Sequence, residues 1–192
     1  MIYLASASPR RQQLLQQLGI NFKVVVSDLE ETRAPNESPP QYVFRVALEK
    51  ARHVAATVRE RGLPWHPVLG ADTEVVLDGE VLGKPTDREH GLAMLQRLQG
   101  RTHEVLSIAV LLDSRDESNT LSRSLVTFAP MTSADIERYW DSGEPLGKAG
   151  GYAIQGRAAT FIARLEGSYS GVMGLPLYET AQLLRQAGLL VP

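Results

Sequence analysis

The chain contains no cysteine, which excludes a disulfide framework, a thiolate nucleophile and any zinc site built on sulfur. That is compatible with a reducing compartment. It also lacks a charge imbalance: the formal net charge is -2 at pH 7, whereas nucleic acids and anionic membranes select strongly basic surfaces. No nucleic-acid or membrane partner is therefore expected, and any anion must be bound locally. No stretch approaches the roughly 18 apolar residues of a membrane span. The first residues enter a strand without the basic flank and apolar core of a signal peptide, so a cytoplasmic location is expected. The four histidines, His53, His66, His90 and His103, show no HExxH or other ligand spacing and read as structural or surface residues. GxGxxG, Walker lysine and GxSxG patterns are missing as well, which argues against dinucleotide, P-loop and α/β-hydrolase chemistry.

What is present is an ordinary globular composition, with 43% hydrophobic and 22% charged residues over 192 positions. That length has room for one domain spanning residues 1–192, or for two tightly associated lobes, with no need of a staple. The patterning predicts strands at Ile2–Ala5 and Phe22–Val26 around a helix from Pro9 to about Leu18. An acidic, proline-rich loop from Ser27 to Pro40 then precedes a helix from about Gln41 to Arg61. Strands at Val68–Asp72, Glu74–Leu77 and Glu80–Leu82 follow, the last two joined by an Asp78-Gly79 turn. Further helices are predicted at Asp87–Leu98, Ser133–Ser142 and Leu177–Ala187, with strands at His103–Asp113, Leu121–Phe128 and Phe161–Glu166. Gly147–Gly156 is too glycine-rich for regular structure along its length. This order indicates an α/β fold, with a mixed twisted sheet and flanking helices.

Several residues are unusual for their positions. Ser8 is a natural N-cap and Pro9 suits the first helical position, so the segment Leu4–Arg11 places unpaired backbone N–H groups, the positive end of a helix dipole and two arginines together. This is either a plain surface helix start or a seat for an anion. Lys50 lies on the apolar stripe formed by Val43, Val46, Ala47, Ala51, Val54 and Val58, and Arg11 shares a face with Leu14, Leu15 and Leu18. Such cations either snorkel to water or emerge into a shared cleft. Asp72 interrupts apolar strand sequence between small neighbours, where it either makes a turn or serves as a metal ligand or proton acceptor. Lys84-Pro85 projects a cation from a stiff segment. In Lys148–Gly156, three glycines allow close approach, with Tyr152 and Gln155 offering a stacking face and an amide; a simple glycine-rich turn is the other reading.

Together, Ala5-Ser6-Ala7-Ser8-Pro9-Arg10-Arg11, Glu30-Glu31, Lys50-Ala51, Gly70-Ala71-Asp72-Thr73, Gly83-Lys84-Pro85, Lys148-Ala149-Gly150, Ile154-Gln155-Gly156 and Gly174-Leu175-Pro176-Leu177 resemble the Maf family of nucleoside triphosphate pyrophosphatases. The resemblance implies a fold related to inosine triphosphate pyrophosphatases, with two lobes around a cleft. It also implies metal-dependent cleavage between the α- and β-phosphates of a nucleoside triphosphate substrate, and association as a homodimer. It assigns Asp72 as proton acceptor and Glu31 as its metal partner, with Glu30 as a substitute. Ser8, Arg11, Lys50 and Lys84 become substrate ligands, and Mg²⁺ or Mn²⁺ the ion. Arg10, Thr73 and Gln155 resemble the specificity residues of the branch acting on dTTP and UTP, and modified pyrimidine nucleotides are expected substrates too. The 7-methyl-GTP branch carries tryptophan, glutamine and glutamate at the corresponding places. Gly151 and Ala153 depart from the family pattern, where many relatives have alanine and glycine. A nucleotide-sensing regulator of septum formation, acting through protein binding, is the reading from a different functional class.

Overall fold

The computed structural model describes residues 1–29, 31–114 and 116–190. Its centre is a seven-stranded mixed sheet. The strands are β1 (Ile2–Ala5), β2 (Phe22–Val24), β3 (Val68–Leu77), β4 (Glu80–Leu82), β5 (Thr102–Leu112), β6 (Glu117–Phe128) and β7 (Ile162–Glu166). Their order is β2-β1-β3-β5-β6-β7, with β4 also paired to β3. β1 is parallel to β2 and β3, while the pairs β3-β5, β5-β6, β6-β7 and β3-β4 are antiparallel. The helices are α1 (Pro9–Gln16), α2 (Pro39–Glu60), α3 (Arg88–Leu98), α4 (Ser133–Asp141), α5 (Tyr169–Met173) and α6 (Leu177–Gln186). No helix is long and apolar enough to cross a membrane among the described residues.

Alternation along the strands sorts the core onto two faces. Tyr3, Ala5 and Val68 pack with Ala51, Val54 and Val58 of α2. Ile2, Leu4, Leu69 and Ala71 pack with Leu14 and Leu15 of α1 and with Leu183 and Leu184 of α6. Val75, Leu77 and Val105 join Met94, Leu95 and Leu98 of α3 and Ile136 and Tyr139 of α4 in a further cluster.

Gly70 sets the spacing between α2 and β3. A Cβ there would stand 2.3 Å from the backbone oxygen of Ala47 and 2.9 Å from the Cβ of Ala51. Only hydrogen at this position lets the helix lie so close, and that approach brings the next turn of α2, carrying Lys50, against β3.

Four differences from the sequence expectations have local causes. β3 is one strand through Thr73 because Asp72, Thr73 and Glu74 keep their pairing with Ile108, Ser107 and Leu106 of β5. α2 begins at Pro39, with both prolines in its first turn where no N–H is required. Gln41 Oε1 accepts from the Ser38 N–H at 2.9 Å and from its hydroxyl at 2.7 Å. β6 starts at Glu117, since its polar first residues still pair with Val110, Leu111 and Leu112. α5 was not expected: it is five residues long, too short for a helical period to show, and is capped by Ser168.

Candidate active site

The β3 strand has an incomplete neighbour on one side. β5 pairs with it from Val68 to Val76, while the opposite edge is covered by β1 only at Val68, Leu69 and Gly70 and by β4 only at Val75, Val76 and Leu77. Between them, at residues 71–74, the sheet is forked. A cleft of about 640 Å³ lies across this fork, and its walls include Ser6 and Ser8 beyond β1, Arg10 and Arg11 of α1, and Lys50 of α2.

Because side chains alternate, Asp72 and Glu74 face the α2 side while Thr73 faces the α1 side. Lys50 is buried and does not snorkel to water: its Nζ lies 2.8 Å from Asp72 Oδ1 and 2.6 Å from Glu31 Oε1. Lys84, from the segment after β4, reaches the other oxygen of Glu31 at 3.4 Å. Those two lysines tie the acidic loop across the cleft. Glu31 would be pushed up by its burial, but the adjacent lysine charges outweigh this and hold its carboxyl below the usual range.

Arg11 enters from the opposite face through the fork. Its Nε donates to the Gly174 carbonyl at 2.9 Å, Nη1 to Ser6 Oγ at 3.3 Å and Nη2 to Thr73 Oγ1 at 3.5 Å, leaving Asp72 Oδ1 3.9 Å away. Thr73 is held in turn by Ser107, its cross-strand partner, at 2.8 Å. At the helix start, Ser8 Oγ accepts from the Arg11 N–H at 3.5 Å with Pro9 in the first turn, as a capped helix requires. Burial and then the neighbouring Arg11 charge lower the pKa of Arg10. Burial and then Arg10 do the same to Lys148. Cations that disfavour one another in this way form a seat that a polyanion relieves.

Glu74 was missed by the sequence reading. It is buried beside Asp72, and burial followed by the Asp72 and Glu31 charges pushes its carboxyl up, favouring the protonated form. The available signal was alternation, since residues 72 and 74 of one strand share a face. Oδ2 of Asp72 and Oε2 of Glu74 are buried and meet no hydrogen-bond partner among the described residues. Lys148 and Ser6 also line the cleft without having been assigned a role.

The structure brings Ser8, Arg10, Arg11, Glu31, Lys50, Asp72, Thr73, Lys84 and Gln155 to this one cleft. Glu30, the substitute for Glu31, lies outside the described residues. Gln155 is exposed toward the cleft between two 3-10 turns, Ala149–Gly151 and Arg157–Phe161, with Tyr152 buried behind it.

A cluster of cations faces two carboxylates across a forked α/β sheet, an arrangement with the charge to receive a polyanion. The chain belongs to the Maf family, whose "Maf-like protein" pattern matches residues 1–187. Its similar relatives include the dTTP/UTP pyrophosphatase of Alkalilimnicola ehrlichii, 57% identical over 95% of this chain and 91% of that protein. The dTTP/UTP pyrophosphatases of Xanthomonas euvesicatoria and Cupriavidus pinatubonensis are 54% and 53% identical. Each match covers 98% of this chain, and 99% and 97% of those proteins respectively. Among solved structures, the Staphylococcus aureus Ham1 protein aligns with a TM-score of 0.47 and 14% identity, over 67% of this chain and 71% of that one.

Proposed function

We propose that this protein hydrolyses dTTP and UTP, and modified pyrimidine nucleotides of the same shape, to the nucleoside monophosphate and pyrophosphate. The observation that carries this reading is the Lys50 ammonium, shared between Asp72 at 2.8 Å and Glu31 at 2.6 Å, beside the arginine end of the cleft. Relatives at 53–57% identity named dTTP/UTP pyrophosphatase support the base preference.

A divalent cation fits the residues present. Asp72 and Glu31 offer hard oxygen ligands, and Asp72 Oδ2 is buried with no hydrogen-bond partner among the described residues. No group of three or more acidic, histidine or cysteine side chains is arranged as a complete cage among the described residues. Mg²⁺ and Mn²⁺ take oxygen ligands of this kind, and Mg²⁺ is commonly held by one or two carboxylates together with substrate phosphates. Such an ion, when bound, neutralises charge on the phosphates undergoing displacement.

The chain's own residues then divide the work. The triphosphate takes over cations now held by carboxylates: Lys50 and Lys84 turn from Glu31 to phosphate oxygens, and Arg11 with Ser8 closes on them from α1. Asp72 orients a water and takes its proton as the water oxygen bonds to phosphorus. The bridging P–O bond breaks, and pyrophosphate leaves with the electron pair. Gln155 presents both a donor and an acceptor to the edge of a uracil or thymine ring, with Thr73 and Arg10 shaping the rest of the seat. This reading includes a homodimer and a cytoplasmic location.

Incubation with UTP and Mg²⁺ tests the bond that is cut. UMP and pyrophosphate in equal amounts are expected; UDP with orthophosphate would sink the proposal. The alternative branch is decided by kcat/KM for UTP against 7-methyl-GTP, measured side by side. A division phenotype that persisted in a hydrolysis-dead variant would favour the regulatory reading.

A further inference from the structure

Gln155 lies between two tethers that converge on Glu144. On one side, the Ala153 N–H donates to the Tyr139 hydroxyl at 3.2 Å, and that hydroxyl donates to Glu144 Oε1 at 2.8 Å. On the other, the Arg157 N–H donates to Oε2 at 2.8 Å and the Ala158 N–H to Oε1 at 3.2 Å. The carboxylate sits directly beneath the loop. A Cβ on Gly156 would stand 2.1 Å from Glu144 Oε2, so glycine at 156 is what admits it. Burial alone would push this carboxyl up, but the Arg157, Tyr139 and Ala158 donors hold it below the ordinary glutamate range. Its backbone serves the other end of the cleft, the Glu144 carbonyl accepting from Lys148 Nζ at 2.5 Å.

Tyr139 is itself fixed, buried in the α3/α4 cluster with Ala158 and Ile154 and set against Phe161 with ring centroids 6.3 Å apart. Both flanks of Gln155, besides packing Ile154 and Ala158 into the core, are therefore tied to one carboxylate that is bonded in turn to a packed helix. We infer that Glu144 is the positioning residue for base selection: its carboxylate holds residues 153–158 in the conformation that aims the Gln155 amide at the pyrimidine. This rests on the base-reading role proposed above for Gln155. Glu144 touches no reacting atom, and its effect passes entirely through the loop.

The test pairs Glu144→Gln with Gln155→Ala in a double-mutant cycle, reading KM and kcat for UTP and for ATP. One misaligned hydrogen-bonding side chain corresponds to about tenfold in KM. Glu144→Gln is expected to raise KM for UTP about tenfold, to lower kcat less, and to narrow the preference for UTP over ATP. In the Gln155→Ala background the same substitution should add almost nothing. An equal penalty in both backgrounds would overturn the inference. Tyr139→Phe withdraws the Ala153 tether and one donor to the carboxylate while keeping the carboxylate and its Arg157 and Ala158 contacts, and carries the same cycle should Glu144→Gln fail to fold. Hydrogen exchange supplies a readout independent of activity: the Arg157 and Ala158 amides should exchange about tenfold faster in Glu144→Gln. Unchanged exchange refutes the positioning role even in an enzyme that hydrolyses UTP. Wild-type protein that releases no UMP refutes instead the reading on which it rests.

Discussion

Replacing Asp72 by asparagine removes a charge and a proton acceptor while keeping the shape of the side chain, so it separates chemistry from binding. Removal of a general base costs about 10²- to 10⁴-fold in rate, which is about 3–5 kcal/mol on the barrier. Binding should behave differently. Lys50 keeps Glu31 at 2.6 Å, and Arg11 keeps Ser6, Gly174 and Thr73, so both cations stay in place. The asparagine carbonyl still accepts from Lys50, and the loss of folding stability is expected to stay near 1 kcal/mol. Without divalent cation, Kd for a non-hydrolysable UTP analogue should be unchanged or lower, because a negative charge has left an anion site. Steady-state kinetics and calorimetric titration measure the two halves. A kcat within tenfold of wild type would refute Asp72 as the base; a Kd that rises along with an unfolding transition would show the residue to be structural.

Gly70→Ala should destabilise the fold by about 1–3 kcal/mol, since the new Cβ would meet the Ala47 carbonyl at 2.3 Å. It should also lower kcat by moving Lys50 off Asp72; unaltered Tm and kcat would contradict the spacing argument. Burial lowers the His103 pKa from 6.5 to about 4, and the unfolded chain therefore binds a proton in that window that the folded chain does not. Stability should fall by about 3 kcal/mol as pH drops from 6.5 to 4, and urea titrations of His103→Gln should show a flatter profile; parallel profiles would refute this. Arg11→Lys cannot reproduce the three-way contact with Ser6, Thr73 and Gly174. KM for UTP should rise at least tenfold, with a KM near wild type speaking against Arg11 as a phosphate ligand.

The residues that carry local signals were legible. Ser8-Pro9 announced the start of α1, and Asp78-Gly79 announced the β3-β4 turn, with φ of 53° and 79° at the two positions. Lys50 stood out because a cation on an apolar stripe is anomalous, and Asp72 because small residues flank it. What stayed hidden was set by tertiary contact. The fork at residues 71–74 depends on where β1 ends and β4 begins, which no period records. Pro39 and Pro40 read equally well as loop or as a first helical turn, and the capping Gln41 decides between them. Glu74 resembles an ordinary polar strand residue until burial beside Asp72 raises its pKa. Glu144 lies in a turn whose sequence carries no sign of the three donors that meet at its carboxylate.

Two properties define the proposed activity: which bond is broken, and for which base. Product analysis by anion-exchange chromatography, over a panel of normal, methylated and halogenated nucleoside triphosphates with Mg²⁺, addresses both at once. Monophosphate and pyrophosphate are expected in a one-to-one ratio, with dTTP, UTP and modified pyrimidines turned over fastest. Diphosphate with orthophosphate, or a preference for 7-methyl-GTP over UTP, would contradict that activity.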